Sequence, residues 1–252
     1  MRFSILTLNP GFFQGATEEG MIRIARQKGL LEVSIVAIRD FTNDRYGTTD
    51  DYPYGGGAGM VMKAEPILRA NESVRRGAEE AGAGARRARV LVTSPQGAPF
   101  TQARARELCA EPEIVVLCGR YKGIDERVIP LLDAEEISIG DYVLSGGEPA
   151  AIVILDALAR LIPGVLGDAE SAEADSFSEP LLDAPVYTRP EDFGGQRVPE
   201  VLLSGDHERI RVWRRREAIR RTWIKRPDLL LGRTLCKEDQ KLLDEVKKEE
   251  GR

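Results

Sequence analysis

Residues Ile137 to Glu148 read Ile-Ser-Ile-Gly-Asp-Tyr-Val-Leu-Ser-Gly-Gly-Glu. The segment begins as the end of a β-strand, passes through Gly140 and stops at the pair Gly146-Gly147. Glycines interleaved with β-branched residues weaken a regular strand. They also let the backbone take positive φ or press close to another group. Ile137, Ile139, Val143 and Leu144 are expected to hold the segment to a core. Read this way, the stretch is a backbone wall against which a flat ligand can lie. A tight strand-to-helix turn without a ligand is the plainer alternative.

Outward from this stretch, apolar runs that suit strands alternate with runs that suit helices. Strands are expected at Arg2–Leu8, Leu31–Ile38, Val90–Thr93, Glu113–Cys118 and Glu135–Ile139. Helices are expected at Glu18–Lys28, Lys63–Arg76, Thr101–Cys109 (with Thr101 as cap), Asp125–Leu132 and Glu148–Leu161, the last ended by Pro163-Gly164. Asp40–Gly59 reads as a loop carrying Tyr54-Gly55-Gly56-Gly57, and Gly77–Arg89 as an exposed loop. The alternation predicts an α/β fold, a mostly parallel sheet covered on both faces. The strands from Val90 onward end in three glycine-bearing loops: Ser94-Pro95-Gln96-Gly97, Gly119-Arg120-Tyr121-Lys122-Gly123 and the opening stretch. Ligands of open α/β sheets lie at the carboxyl ends of the strands, so these loops are the expected pocket.

The bulk properties narrow the possibilities. The chain has 252 residues with 42% hydrophobic and 31% charged side chains, as in a soluble globular protein. No apolar run reaches the ~18–20 residues of a membrane span. The first residues read as no secretory signal. Cys109, Cys118 and Cys236 are odd in number and widely spaced, which argues for a reducing cytoplasm over a disulfide framework. With His207 as the single histidine, multi-histidine metal sites are excluded and a histidine-based triad is disfavoured, and no metal ligands are assigned. Net charge is −5, yet residues 186–252 carry 17 Lys and Arg against 13 Asp and Glu. Nine of those cations fall between Arg209 and Arg226, in a segment, Glu208–Lys225, expected to form a basic helix packed through Trp213, Ile219 and Trp223. A polyanion would be drawn there. The acidic, small-residue stretch Gly167–Glu179 reads as a flexible linker, and Lys237–Glu250 as a charged helix.

The glycines do not form a Rossmann fingerprint, because the turn after the first strand reads Asn9-Pro10-Gly11-Phe12-Phe13. No Gly-Lys-Ser/Thr follows the glycines of Tyr54–Gly59, so a nucleotide P-loop is also excluded. Taken in order, Tyr54-Gly55-Gly56-Gly57, Ser94-Pro95-Gln96-Gly97, Cys118-Gly119-Arg120-Tyr121, Ile137–Glu148, Ile162–Gly167, Asp175-Ser176-Phe177, Tyr187-Thr188-Arg189-Pro190, Leu203-Ser204-Gly205 and Arg221-Thr222-Trp223 closely resemble the bacterial tRNA (guanine-N1)-methyltransferases. The resemblance covers nearly the whole chain. It implies a SPOUT-type α/β domain over residues 1–166 with a trefoil knot at the cofactor site, a linker over 167–179, and a helical tRNA-binding domain over 180–252. It further implies S-adenosylmethionine as cofactor, tRNA as substrate with the guanosine just 3′ of the anticodon (position 37) as target, and a homodimer with shared active sites.

Carried over by motif, the resemblance implies a cofactor wall in three parts. The first is Ser94, Pro95 and Gln96, and the second is Gly119, Arg120 and Tyr121. The third is Ile139, Gly140, Asp141, Tyr142, Val143 and Leu144, with Gly146 and Gly147. It implies Asp175 as the base at guanine N1 and Arg160 as a supporting cation. The basic helix offers Arg214, Arg215, Arg220 and Arg221 to RNA phosphates. Lys122 stands where the family commonly has a glutamate, and the reversed charge puts a magnesium requirement in question. A non-catalytic RNA-binding protein on the same fold is the alternative. The joint presence of Arg160, Asp175 and the full wall argues for the enzyme.

Overall fold

The computed structural model describes residues 1–80, 87–166, 176–177 and 179–251. The chain forms two compact units, Met1–Ala169 and Glu170–Arg252.

The first unit is built on five parallel strands: β1 (Arg2–Thr7), β2 (Glu32–Ala37), β5 (Arg89–Pro99), β6 (Glu113–Cys118) and β7 (Glu135–Ser138). Two short strands, β3 (Asp50–Asp51) and β4 (Val61–Met62), pair separately. The order across the main sheet is β2-β1-β6-β5-β7. Alternate side chains of each strand point to opposite faces, so each strand feeds two cores. Phe3, Ile5, Leu91, Ile114, Val116 and Cys118 join one cluster, and Leu6, Val90, Val92, Val115 and Leu117 join the other. Helices α1 (Gly20–Gln27), α3 (Gln102–Cys109) and α5 (Glu148–Ala159) cover the first face through Ile22, Leu108, Ile154, Leu155 and Leu158. Helices α2 (Ala64–Glu80) and α4 (Val128–Leu132) cover the second through Ile67, Ala70, Val128 and Leu132. Thr101 caps α3, its hydroxyl accepting from the Arg104 amide at 3.2 Å.

Two expectations in this unit need correction. Helix α2 does not stop at Arg76 but runs to Glu80, with Arg75 bridging Glu72 and Glu79 on its surface. Of the proposed Gly77–Arg89 loop, residues 81–86 lie outside the described residues, and Arg89 already belongs to β5. Nor does β5 end at Thr93. It bulges through Ser94–Gly97 and resumes, so that Thr93 and Ala98 both pair with Ile137. The bulge brings Gly97 so close to β7 that a Cβ there would lie 2.3 Å from the Ile137 amide nitrogen.

The second unit holds a small hairpin, β8 (Asp192–Phe193) and β9 (Gln196–Arg197), followed by helices α6 (Glu200–Leu203), α7 (His207–Lys225) and α8 (Lys237–Glu249). Its core is modest. Leu181, Ala218, Ile219 and Leu243 are buried, with Trp223, Leu230, Leu235 and Leu242 packed around them. Most of the proposed Gly167–Glu179 linker, including Asp175, lies outside the described residues. Its end does not behave as a tether. The Ser176 hydroxyl accepts from the Asp183 amide at 2.9 Å, the Phe177 amide donates to Leu181, and Glu179 pairs with Arg215. Among the described residues no helix is long and apolar enough to cross a membrane.

Candidate active site and basic helix

Because the five strands are parallel, the bulge loop within β5 and the loops after β6 and β7 all emerge at one edge of the sheet, where the sequence places the wall. The structure joins these loops by backbone contacts. Arg120 and Gly146 form an antiparallel bridge, and the Gly147 amide donates to the Gly119 carbonyl at 2.9 Å. The Gly119 amide meets the Thr93 hydroxyl at 3.4 Å, and that hydroxyl donates to the Leu117 carbonyl. No side chain fits at Gly147. A Cβ there would lie 1.8 Å from Thr93 Oγ1 and 2.9 Å from Cys118 Cα. This close approach is the physical reason for the Gly146-Gly147 pair.

Beyond Ile139 the chain turns at Gly140, whose φ is +149°. The Ser138 hydroxyl bonds to both the amide and the carbonyl of Gly140 at 3.2 Å. The Tyr142 hydroxyl donates to the Ile139 carbonyl at 3.3 Å. Ile137 is buried and Ile139 packs on the core, as expected. Val143 and Leu144 do not, being 85% and 41% exposed. The turn at Gly140 carries them off the sheet, so they offer an apolar surface outward with the exposed rings of Tyr121 and Tyr142. Pro95 and Gln96 are exposed on the β5 bulge, where the Gln96 amide donates to Ser94 Oγ at 3.1 Å.

Behind this wall lies a group that the sequence reading passed over. Glu148, the first residue of α5, is fully buried. Its carboxylate accepts from Thr7 Oγ1 at 2.8 Å, Asn9 Nδ2 at 3.1 Å and Arg120 Nε at 3.1 Å. Burial pushes its pKa up. The Arg120 hydrogen bond, its own backbone amide, Asn9 and Thr7 outweigh that, and the carboxyl titrates below its ordinary range. The available signal was an acid heading a mostly apolar helix whose one other charge is Asp156. Lys122, on the same loop as Arg120, is exposed and lays its aliphatic stem over Gly59, where a Cβ would lie 2.8 Å from Lys122 Cγ. Among the described residues no cluster of three His, Cys, Asp or Glu could hold a metal ion.

Arg160 is not brought to this wall. It caps the far end of α5, exposed, roughly 18 Å along the helix from Glu148 at 1.5 Å per residue.

In the second unit, α7 begins with the Asp206 carboxylate accepting from the Arg209 amide at 3.1 Å. The four arginines expected to face RNA divide into two kinds. Arg215 pairs with Asp239 at 2.6 Å and with Glu179, and Arg220 pairs with Glu250 at 2.6 Å and with Glu217. The Arg215 hydrogen bond is the main cause that holds the Asp239 carboxyl below its ordinary range. Arg211, Arg216 and Arg226 are likewise paired, with Glu208, Glu249 and Asp228. Among the described residues, Arg209, Arg214, Arg221 and Lys225 carry no ion pair. Arg214 also lines a groove of about 610 Å3 with Tyr187, Arg189, Leu202, Leu203 and Ile210. The Tyr187 ring lies 6.5 Å from that of Trp213.

Comparison with known proteins agrees with the resemblance. The family model described as tRNA (Guanine-1)-methyltransferase TrmD matches residues 1–232. Proteins named tRNA (guanine-N(1)-)-methyltransferase align over nearly full length. That of Geobacter metallireducens is 52% identical over 251 residues, 100% of this chain and 99% of its own. That of Geotalea uraniireducens is 51% identical with the same coverage. That of Dictyoglomus turgidum is 49% identical over 249 residues, 99% of this chain and 98% of its own.

Proposed function

This chain belongs to the tRNA (Guanine-1)-methyltransferase family, and we propose that it transfers a methyl group from S-adenosylmethionine to N1 of the guanosine immediately 3′ of the anticodon in tRNA. The observation that carries the reading is the junction of the three loops. Gly147 is pressed against Thr93 and Gly119, and the loops that meet there carry the exposed side chains Tyr121, Tyr142, Val143 and Leu144. Such a surface suits an adenosine group, with an apolar and aromatic face for the base and backbone amides and carbonyls for its edge. When bound, the cofactor supplies an electrophilic methyl on a sulfonium. The wall, Ser94–Gln96, Gly119–Tyr121, Ile139–Leu144, Gly146 and Gly147, holds and orients it. The parallel sheet with its carboxyl-edge site supports a SPOUT-type reading, in which a trefoil knot would lie at these same loops.

Two further roles complete the chemistry. Guanine N1 must lose its proton, and charge gathering on the neighbouring exocyclic oxygen must be met by a cation. Asp175 takes the proton and Arg160 stabilises the charge. Arg160 stands a helix length from its own wall, which supports a homodimer in which Asp175 and Arg160 serve the wall of a second copy. The second unit binds the tRNA, through Arg214 and Arg221 before Arg215 and Arg220. The protein works in the cytoplasm with its substrate.

The test is methyl transfer from radiolabelled S-adenosylmethionine to a tRNA transcript with guanosine or adenosine at the target position. Transfer to the first and none to the second is expected. Asp175→Asn should lower turnover ~10²–10⁴-fold while cofactor affinity stays within a few-fold. tRNA binding without transfer by the wild-type protein would return the non-catalytic alternative.

A further inference from the structure

Arg120 lies between two different demands. Its Nε donates to both oxygens of Glu148, at 3.1 and 3.3 Å, and its backbone bridges Gly146. Its two terminal nitrogens make no hydrogen bond among the described residues, and its side chain is 26% exposed. The guanidinium is thus anchored from behind by one nitrogen and left with its outer nitrogens to offer. Glu148 is itself immobilised from other directions. Thr7 and Asn9 reach it from the carboxyl end of β1, the neighbour of β6 in the sheet, and the Asn9 amide in turn donates to Thr7 Oγ1 at 2.9 Å. With no exposure to solvent, the carboxylate has few alternative positions. The arrangement is a buried, hydrogen-bonded acid aiming a partly exposed arginine at the edge where the wall loops meet.

Resting on the function proposed above, we infer that Glu148 is a positioning residue. It fixes Arg120 so that the outer guanidinium nitrogens meet an anionic oxygen of the bound reactants. Two oxygens have that chemistry: the cofactor's carboxylate, and the exocyclic oxygen of guanine as charge gathers on it. A planar guanidinium serves both sides at once, since it has five N–H donors and only Nε–H is used by Glu148. A lysine ammonium at the same place can satisfy the buried acid only as a point charge, without a second set of nitrogens held in a fixed plane.

The experiment uses the full-length protein and the variants Glu148→Gln, Arg120→Lys, Arg120→Ala and Glu148→Gln with Arg120→Ala. Calorimetry gives dissociation constants for S-adenosylhomocysteine and for methylthioadenosine, which lacks the carboxylate. Single-turnover methyl transfer at saturating tRNA gives the chemical step, and thermal melting reports folding. If the oxygen is the cofactor carboxylate, Glu148→Gln and Arg120→Lys each weaken S-adenosylhomocysteine about tenfold and leave methylthioadenosine unchanged. If it is the guanine oxygen, both affinities hold and the single-turnover rate falls about tenfold. In either case the double variant is no worse than Arg120→Ala alone, because the acid acts through the arginine. Additive losses, or folded variants with unchanged affinities and rate, overturn the assignment and leave Glu148 as packing. Should Glu148→Gln not fold, Arg120→Lys decides, because it keeps a cation against the buried acid. A wild-type protein that binds neither ligand contradicts the proposed function instead, and does so before any variant is compared.

Discussion

Helices α5 and α7 put charge to opposite uses. Helix α5 is almost wholly apolar and opens with one acid, which is buried and touched by three side chains from two other parts of the sheet unit. Helix α7 is crowded with arginine, and most of those arginines are consumed by carboxylates of its own unit. A buried charge in a mostly apolar helix is thus the more informative one, since burial is costly unless a built environment surrounds it. A crowd of like charges overstates what is offered to a partner, because the fold neutralises part of it.

The largest expected effect falls on the thin core beneath α7. Ile219 is fully buried in a cluster of few residues, so Ile219→Ala should cost ~2–5 kcal/mol. Hydrogen exchange should accelerate across residues 179–251 and leave the parallel sheet protected. Equal acceleration in both units would break the contrast between them. At the wall the expected failure is overpacking. Gly147→Ala must displace Thr93 or the Gly119 backbone, at ~1–3 kcal/mol. Calorimetric melting should show the loss, together with weakened cofactor binding. An unperturbed variant would mean that the loops are not held as described.

Arg215 tests whether α7 spends its charge on folding. Asp239 is buried and Arg215 about a third exposed, so solvent screening reduces what Arg215→Met loses to about 1–2 kcal/mol. The sign with pH follows from the depressed Asp239 pKa. The pair's stabilisation is complete above the ordinary aspartate value of about 3.9 and is lost as pH falls through the lower folded value. Wild type and Arg215→Met should therefore converge in stability as acid is added, which denaturant melts at several pH values would check. The smallest effect concerns RNA. Arg214→Ala and Arg221→Ala should each reduce the log–log salt slope of tRNA binding by roughly 0.7–0.9, whereas Arg220→Ala should leave it unchanged. Equal slopes for all three would mean that RNA displaces Glu250 from Arg220 and that internal pairing does not govern the interface.

The element order of the sheet unit was legible because alternation, continuous apolar runs and helical patterns are local, as in β1, β6 and α3. Most of what escaped was non-local. The β5 bulge depends on Gly97 meeting Ile137 across the sheet. The extension of α2 to Glu80 is the local exception, carried past Gly77 by the i,i+4 pair of Arg75 with Glu79. At the site, the glycines of the wall announced themselves by their number. Val143 and Leu144 were misjudged as core because an apolar residue says nothing of whether the chain has turned away from the sheet. Glu148 was missed because its partners Thr7 and Asn9 come from the chain's beginning. The tally of arginines on α7 could not reveal Asp239 and Glu249 waiting on α8, or Glu250 at its end.

The strand order has a consequence for the newborn chain. β1 is made well before β6, which is one of its two sheet neighbours, with Phe3 beside Ile114. On a ribosome adding roughly 5–20 residues per second, β1 and β2 therefore wait about 5–20 seconds before the strand that completes their sheet is synthesised. Through that interval one flank of β1 presents bare amides and carbonyls beside the apolar side chains of Phe3, Ile5 and Leu6, the kind of edge that draws strands from other chains. Rapid synthesis through residue 118, or a chaperone resting on residues 2–37, would shorten or shield the exposure.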